Sequence, residues 1–222
     1  MRHFLLYELM KTNSEIQGFI FDLDGVLVST EHNHFLAWQK TANLLGIDFS
    51  EEENENLKGV SRIDSLTYIL NLGNTVLSNE EFNNLLDFKN ESYLNSIQDL
   101  TQQNCLTGVV ETLSKAKAKG IKLAVGSSSK NAKRILKLIQ IEDYFDTIID
   151  GSMVENLKPS PEVFLKAASI LGLDPSECLV FEDAASGIQA AKAGGFTAIG
   201  IGNENIKQLA DHYYNDLTEF TF

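Results

Sequence analysis

The run FIFDLDGVLVST, residues 19–30, closes an apolar stretch with two carboxylates two residues apart, Asp22 and Asp24. A carboxylate held in this way can attack phosphorus and form an aspartyl-phosphate. Its neighbour, out of reach of phosphorus, can move the proton of the attacking or leaving oxygen. Both tasks need fixed positions, which the end of a buried strand supplies. Other polar groups stand at the ends of later apolar runs: Ser127, Ser128 and Ser129 after IKLAVG, Lys158 in KPSP, and Glu182 with Asp183 in CLVFED.

Gathered at one rim, three or four carboxylates repel unless a cation joins them. Oxygen-only ligands select a hard ion, and Mg²⁺ held by one or two carboxylates plus a substrate phosphate is the usual arrangement. Serine hydroxyls suit phosphate oxygens, as do the backbone amides of a helix beginning near Lys130 and Asn131. Lys158 adds a positive charge. The set reads as a site for a phosphoryl group held against Mg²⁺. Each motif alone is commonplace: a DxD is usually a turn, a serine triplet a loop, an ED pair solvated. Their joint occurrence, in order and each at a predicted strand end, carries the reading.

The elements that must position these groups follow a strand–helix rhythm. QGFIFD (17–22), IKLAVGS (121–127), FDTIID (145–150), CLVFED (178–183) and FTAIGIG (196–202) read as buried strands. Helical patterns separate the later ones: 109–120, 130–141, 160–172 and 186–195. The third is expected to open on a serine cap with proline in its first turn, and three of the four close on glycine. This alternation predicts an α/β fold: a Rossmann-like parallel sheet core with helices on both faces. In such sheets ligands bind beyond the carboxyl ends of the strands, where the polar groups fall. Residues 31–101 break the rhythm with helical patterns and no strand signal, and so read as an inserted all-helical cap. The predicted organisation is an N-terminal extension at 1–15, a core from 16–30 and 102–222, and the cap at 31–101.

With 222 residues, 43% of them hydrophobic, the chain can bury a full core. A formal charge of −13 argues against nucleic acid or an anionic membrane as partner. It leaves room for a small phosphorylated substrate, because local lysines can oppose the global field. No apolar run reaches the roughly 18 residues of a membrane span. The N-terminal stretch lacks the small-residue cleavage site of a signal peptide. Cys105 and Cys178 lie far apart, without metal-ligand spacing, and read as reduced thiols. A cytoplasmic, monomeric protein is expected.

FDLDGVL, AVGSSS, Lys158 and FED (181–183) together resemble the four motifs of the haloacid dehalogenase superfamily of aspartate-nucleophile phosphotransferases. The helical insert after the first strand is similar to that superfamily's first cap class. Within the insert, TEHNHFLAW (30–38), LKGVSRIDSL (57–66) and FKN (88–90) resemble the β-phosphoglucomutase family. The resemblance covers nearly all of the chain from about Gly18 onward. It implies Asp22 as nucleophile and Asp24 as general acid/base. Mg²⁺ would take Asp22, the Asp24 carbonyl, Glu182 and Asp183. The transferring phosphate would meet Ser127, the Ser128 amide, Asn131 and Lys158. The distal phosphate and sugar would meet Lys58, Gly59, Arg62, Ser65 and Lys89, with His34 and Trp38 nearby and Thr30 at the hinge. The implied activity interconverts β-D-glucose 1-phosphate and glucose 6-phosphate through β-glucose 1,6-bisphosphate, under a cap that closes against water.

The chain departs from the family pattern in small ways: CLTG lacks the usual proline before Gly108, Ala184 follows the ED pair, and the N-terminal extension is additional. Read from residues alone, Arg62 can grip a phosphate bidentately. Lys58 and Lys89 taken singly read as solvated charges. His34 and Trp38, four apart, share a helix face. Trp38 reads equally as cap core or sugar contact, and His34 as a surface or capping residue. Two rivals stand beside the mutase: a sugar-phosphate phosphatase using the same core, and a non-catalytic module that binds phosphorylated ligands. Asp22, Asp24, Lys158 and Asp183 together fit the second poorly.

Overall fold

A computed structural model describes residues 16–57 and 60–222. The N-terminal extension, Lys58 and Gly59 therefore lie outside the described residues. The chain divides into two compact units, one formed by the described residues through Ser29 with Thr101–Phe222, the other by Thr30–Leu100.

The first unit is built on six parallel strands: β1 (Gly18–Phe21), β2 (Lys122–Gly126), β3 (Thr147–Ile149), β4 (Cys178–Glu182), β5 (Thr197–Ile201) and β6 (His212–Tyr214). Their order is β3-β2-β1-β4-β5-β6, which puts the first strand at the centre. Phe19 pairs with Leu123 on one side and Leu179 on the other. Strands covered on both faces need no polar alternation, and β1 and β4 are buried at every position.

The helices of this unit are α5 (Val109–Ala118), α6 (Ala132–Leu138), α7 (Glu162–Leu171) and α8 (Ala185–Ala193). One face of the sheet packs Ile20, Ala124, Val180 and Ala198 against Val163, Phe164, Ala167 and Ala168 of α7 and Ile188, Ala190 and Ala191 of α8. The right-handed crossover rule assigns α5 and α6 to the opposite face. There Phe19 and Phe21 join Phe181, Phe145, Phe220 and Phe222 in an aromatic cluster. The rings of Phe21 and Phe181, on neighbouring strands, stack 4.5 Å apart. Thus the chain's last residues cover the sheet as a helix otherwise would.

Two local expectations shift. Helix α7 begins at Glu162 with Pro161, not Ser160, in the capping position; Ser160 Oγ still accepts the Glu162 amide at 3.4 Å. Strand β6 has no counterpart in the sequence reading. Three residues, HYY, all half-buried, offer too short a run for periodicity to register.

The second unit contains α1 (Glu31–Leu44), α2 (Glu51–Glu55), α3 (Arg62–Leu72) and α4 (Asn79–Ser96). Serines start three of these: Ser50, Ser61 and Ser78 each accept the amide three residues on, the usual answer to an orphaned helix N–H. Ser50 and Ser78 complete capping boxes with Glu53 and Glu81. Phe35, Trp38, Ala42, Ile47, Phe49, Leu57, Leu66, Ile69 and Leu70 form its core.

Candidate active site

Strand β1 delivers Asp22 to the carboxyl edge of the sheet, tied to β4 by its amide to Phe181 O at 2.9 Å. The chain then folds back sharply: Gly25 N bonds Val28 O, and Leu27 N and Val28 N bond Leu23 O. Gly25 makes this turn possible at φ +81. A Cβ there would lie 2.0 Å from Asp183 Oδ2, so the turn carrying Asp24 and the Asp183 carboxylate touch directly. Asp24 is partly exposed at the turn.

Lys158 comes from the loop between β3 and α7, ahead of a cis bond to Pro159. Its ammonium lies 2.5 Å from Asp22 Oδ1 and 2.7 Å from Glu182 Oε1, and 4.6 Å over the ring of Phe164. All three charged groups are buried. Burial pushes the Asp22 carboxyl up; Lys158 opposes this, Glu182 and Asp24 add to it, and the result is about 7. Burial also works against the Lys158 ammonium, but Asp22 and Glu182 outweigh it and hold the lysine charged, well above its ordinary range. With Asp22 ionised, two carboxylates on one cation leave a net negative centre that suits a further cation.

Glu182 is fixed from two more sides. Its Oε2 accepts the Ala184 amide at 2.9 Å. Its carboxylate lies against Gly187 in the first turn of α8, where a Cβ would fall 1.7 Å from Oε1. Asp183 is held through its backbone: Asn203 Nδ2, beyond β5, donates to Asp183 O at 2.9 Å.

After β2, Ser127 is buried with its amide on Ile149 O, and its hydroxyl accepts the Ser129 amide at 3.1 Å. The Ser129 hydroxyl accepts the Asn131 amide at 3.2 Å, and Asn131 occupies the capping position of α6. Ser128 packs its carbonyl against Gly151, leaving no room for a Cβ there. The core thus presents Asp22, Glu182 and Ser127 at strand ends and Lys158 from a loop as buried polar side chains, with Asp24, Asp183, Ser128 and Asn131 partly exposed.

Asp22, Asp24, Glu182 and Asp183 offer only oxygen, which is the chemistry Mg²⁺ requires. Yet among the described residues no three acidic, histidine or cysteine side chains converge as a ready metal cage. Lys158 draws one oxygen each from Asp22 and Glu182. The donor set fits Mg²⁺ in type, with the Asp183 carboxylate already on the turn that carries Asp24.

The helical unit gathers a second set. Lys89 is buried, with its ammonium 2.7 Å from His34 Nδ1 and 4.6 Å over the Trp38 ring. His34 stacks on Tyr93 at 4.0 Å. Burial, then Lys89 and Arg62, drive the imidazole well below its ordinary pKa. It is neutral, and with Nδ1 accepting from Lys89 its proton sits on Nε2. Trp38 is therefore a core residue roofed by a cation, and His34 is partly buried rather than a surface residue or cap. Thr30 precedes α1 without capping it; its hydroxyl bonds the Tyr93 hydroxyl at 2.9 Å. Arg62 opens α3 and is partly exposed, while Ser65 is buried one turn on. Asn203 and Gly187 escaped the sequence reading, because the partner of Asn203 lies in another loop, that of Gly187 at the end of β4, and neither residue type signals such a contact.

The sequence pattern of haloacid dehalogenase-like hydrolases matches residues 19–201. The β-phosphoglucomutase of Bacillus subtilis (strain 168) is 41% identical over 93% of this chain and 92% of its own length. The phosphorylated carbohydrates phosphatase of Thermotoga maritima is 33% identical over 83% of this chain and 84% of its own. The crystal structure of a β-phosphoglucomutase from Clostridium difficile has a TM-score of 0.88 at 38% identity, over 93% of this chain and 94% of that one. The matched range includes Asp22, Asp24, Ser127, Lys158, Glu182 and Asp183, and the chain belongs to the haloacid dehalogenase-like hydrolase family.

Proposed function

We propose that the protein is a Mg²⁺-dependent β-phosphoglucomutase, interconverting β-D-glucose 1-phosphate and glucose 6-phosphate. The observation that carries this reading is Lys158 held between Asp22 and Glu182 in a buried cluster, in a chain 41% identical to a β-phosphoglucomutase. Mg²⁺, held by Asp22, the Asp24 carbonyl, Glu182 and Asp183, would offset the charge of the phosphoryl oxygens. Lys158, Ser127, the Ser128 amide and Asn131 would hold that group in line with Asp22.

Asp22 attacks a phosphoryl group of β-glucose 1,6-bisphosphate, forming an aspartyl-phosphate as the sugar–phosphate P–O bond breaks and Asp24 gives its proton to the leaving sugar oxygen. Sugar O6 of β-glucose 1-phosphate then attacks that phosphorus, breaking its bond to Asp22 and freeing the carboxylate, while Asp24 accepts the O6 proton. The bisphosphate reverses, Asp22 attacks the phosphoryl group on O1, Asp24 returns the proton to O1, and glucose 6-phosphate leaves. A bisphosphate needs a second cationic grip, for which Lys58, Arg62, Ser65 and Lys89 are the candidates.

The test supplies the protein with β-glucose 1-phosphate, Mg²⁺ and a trace of glucose 1,6-bisphosphate, and follows glucose 6-phosphate and free phosphate together. Glucose 6-phosphate without matching phosphate is expected. Free phosphate with little glucose 6-phosphate would replace the mutase with a sugar-phosphate phosphatase. Arg62→Ala that leaves turnover intact would remove the two-grip scheme.

A further inference from the structure

The loop that brings Lys158 to Asp22 is fastened from outside the site by two side chains one turn apart on α7. Glu162 accepts three hydrogen bonds from it: the Glu155 amide at 2.8 Å to Oε1, and the Asn156 amide at 2.9 Å and Asn156 Nδ2 at 3.1 Å to Oε2. Lys166, four residues on, donates to Met153 O at 2.7 Å. An anion thus takes the loop's N–H groups and a cation its carbonyl, immediately before Lys158. The amides hold the Glu162 carboxyl below its ordinary pKa, so it is ionised and accepts at both oxygens.

An acid in a first helical turn ordinarily serves the helix dipole. Here both carboxylate oxygens point back to the preceding loop. We propose that Glu162 and Lys166 are positioning residues for the phosphoryl-transfer step, acting through Lys158. The inference rests on the reading of Lys158 as a phosphate grip. Both side chains act on residues 153–156 of the loop, chiefly on its main-chain atoms, with Asn156 Nδ2 as the one side-chain donor.

The experiment compares the full-length protein with Glu162→Gln, Glu162→Ala and Lys166→Ala. Three quantities are read: kcat and KM for β-glucose 1-phosphate, the dissociation constant of inorganic phosphate by calorimetry, and the thermal midpoint. Glu162→Ala is expected to lower kcat about tenfold, since small displacements of a reacting group weigh heavily on rate. KM should stay within about twofold, because the clamp acts on Lys158 alone, and phosphate should bind several-fold more weakly. Glu162→Gln, with one oxygen left to accept, should fall between Glu162→Ala and wild type, and Lys166→Ala should move the same way by less. Variants matching wild type in kcat and phosphate affinity would overturn the proposal. So would losses that merely track the unfolded fraction. Failure of the mutase reading shows separately, as absent glucose 6-phosphate formation in the wild type, and phosphate binding still tests the clamp.

Discussion

Gly187→Ala should destabilise the protein, although helix propensity alone predicts the opposite. Gly187 sits in α8 with an ordinary helical φ, so alanine there suits the backbone and should contribute about 1 kcal/mol. The new methyl would meet Glu182 Oε1 at 1.7 Å, Cδ at 1.9 Å and Cγ at 2.6 Å. No rotation of one terminal atom relieves three such contacts, so the carboxylate must leave its place. It then loses Lys158 Nζ at 2.7 Å and the Ala184 amide at 2.9 Å. Hydrogen bonds to a charged group contribute about 1.5–3 kcal/mol each, which exceeds the propensity gain and leaves a net loss of about 2–5 kcal/mol. Urea titration followed by circular dichroism measures this directly. The same substitution in a Glu182→Ala background should turn stabilising by about 1 kcal/mol, since the obstacle is gone. A single Gly187→Ala variant as stable as wild type, or a double variant with no relief, would refute the packing argument.

Lys158→Met should abolish phosphoryl transfer, with kcat at least about a hundredfold lower, because it removes a preorganised positive charge from a buried site; steady-state kinetics on folded protein checks it. His34 stays neutral in the fold while the unfolded chain takes up a proton below about pH 6.5, so stability is unaffected above that pH and falls below it. The loss from this one group is up to about 1.4 kcal/mol per pH unit, and His34→Gln should reduce it when denaturation is compared at pH 7 and 5.5. Phe220→Ala should cost about 3–5 kcal/mol, because the ring packs on Phe19, Phe181 and Tyr214; thermal melting measures it. Chelation of Mg²⁺ by EDTA should stop turnover without unfolding the chain, read by activity and circular dichroism in parallel.

The central strands were legible because burial on both faces leaves an uninterrupted apolar run, as in GFIF and CLVF, and a polar residue ending such a run marks the functional edge. Asp22, Glu182 and Ser127 are of this kind. Lys158 was legible only in company: as a loop residue it has no periodicity of its own, and its motif partners pointed to it. Strand β6 was not legible, since its pairing to β5 depends on a neighbour built elsewhere in the chain. The role of Trp38 was open in sequence for a related reason. A tryptophan on a helix face is compatible with core or ligand, and only its neighbours in the fold, Phe35, Ala42, Leu66 and the others of the cluster, show that it packs in the core. Glu162 and Asn203 were invisible because each acts mainly on main-chain atoms, which every residue possesses.

The central position of β1 governs the order in which the fold can be completed. Its two neighbours in the sheet begin at residues 122 and 178. During synthesis the first strand emerges early with both hydrogen-bonding edges unmatched. The helical unit, Thr30–Leu100, is contiguous and rich in local contacts, and is fully translated before either partner strand exists. Asp22 therefore acquires its charged surroundings only after Lys158 and then Glu182 have left the ribosome, so no shortened nascent chain lacking β4 can hold the complete charged cluster.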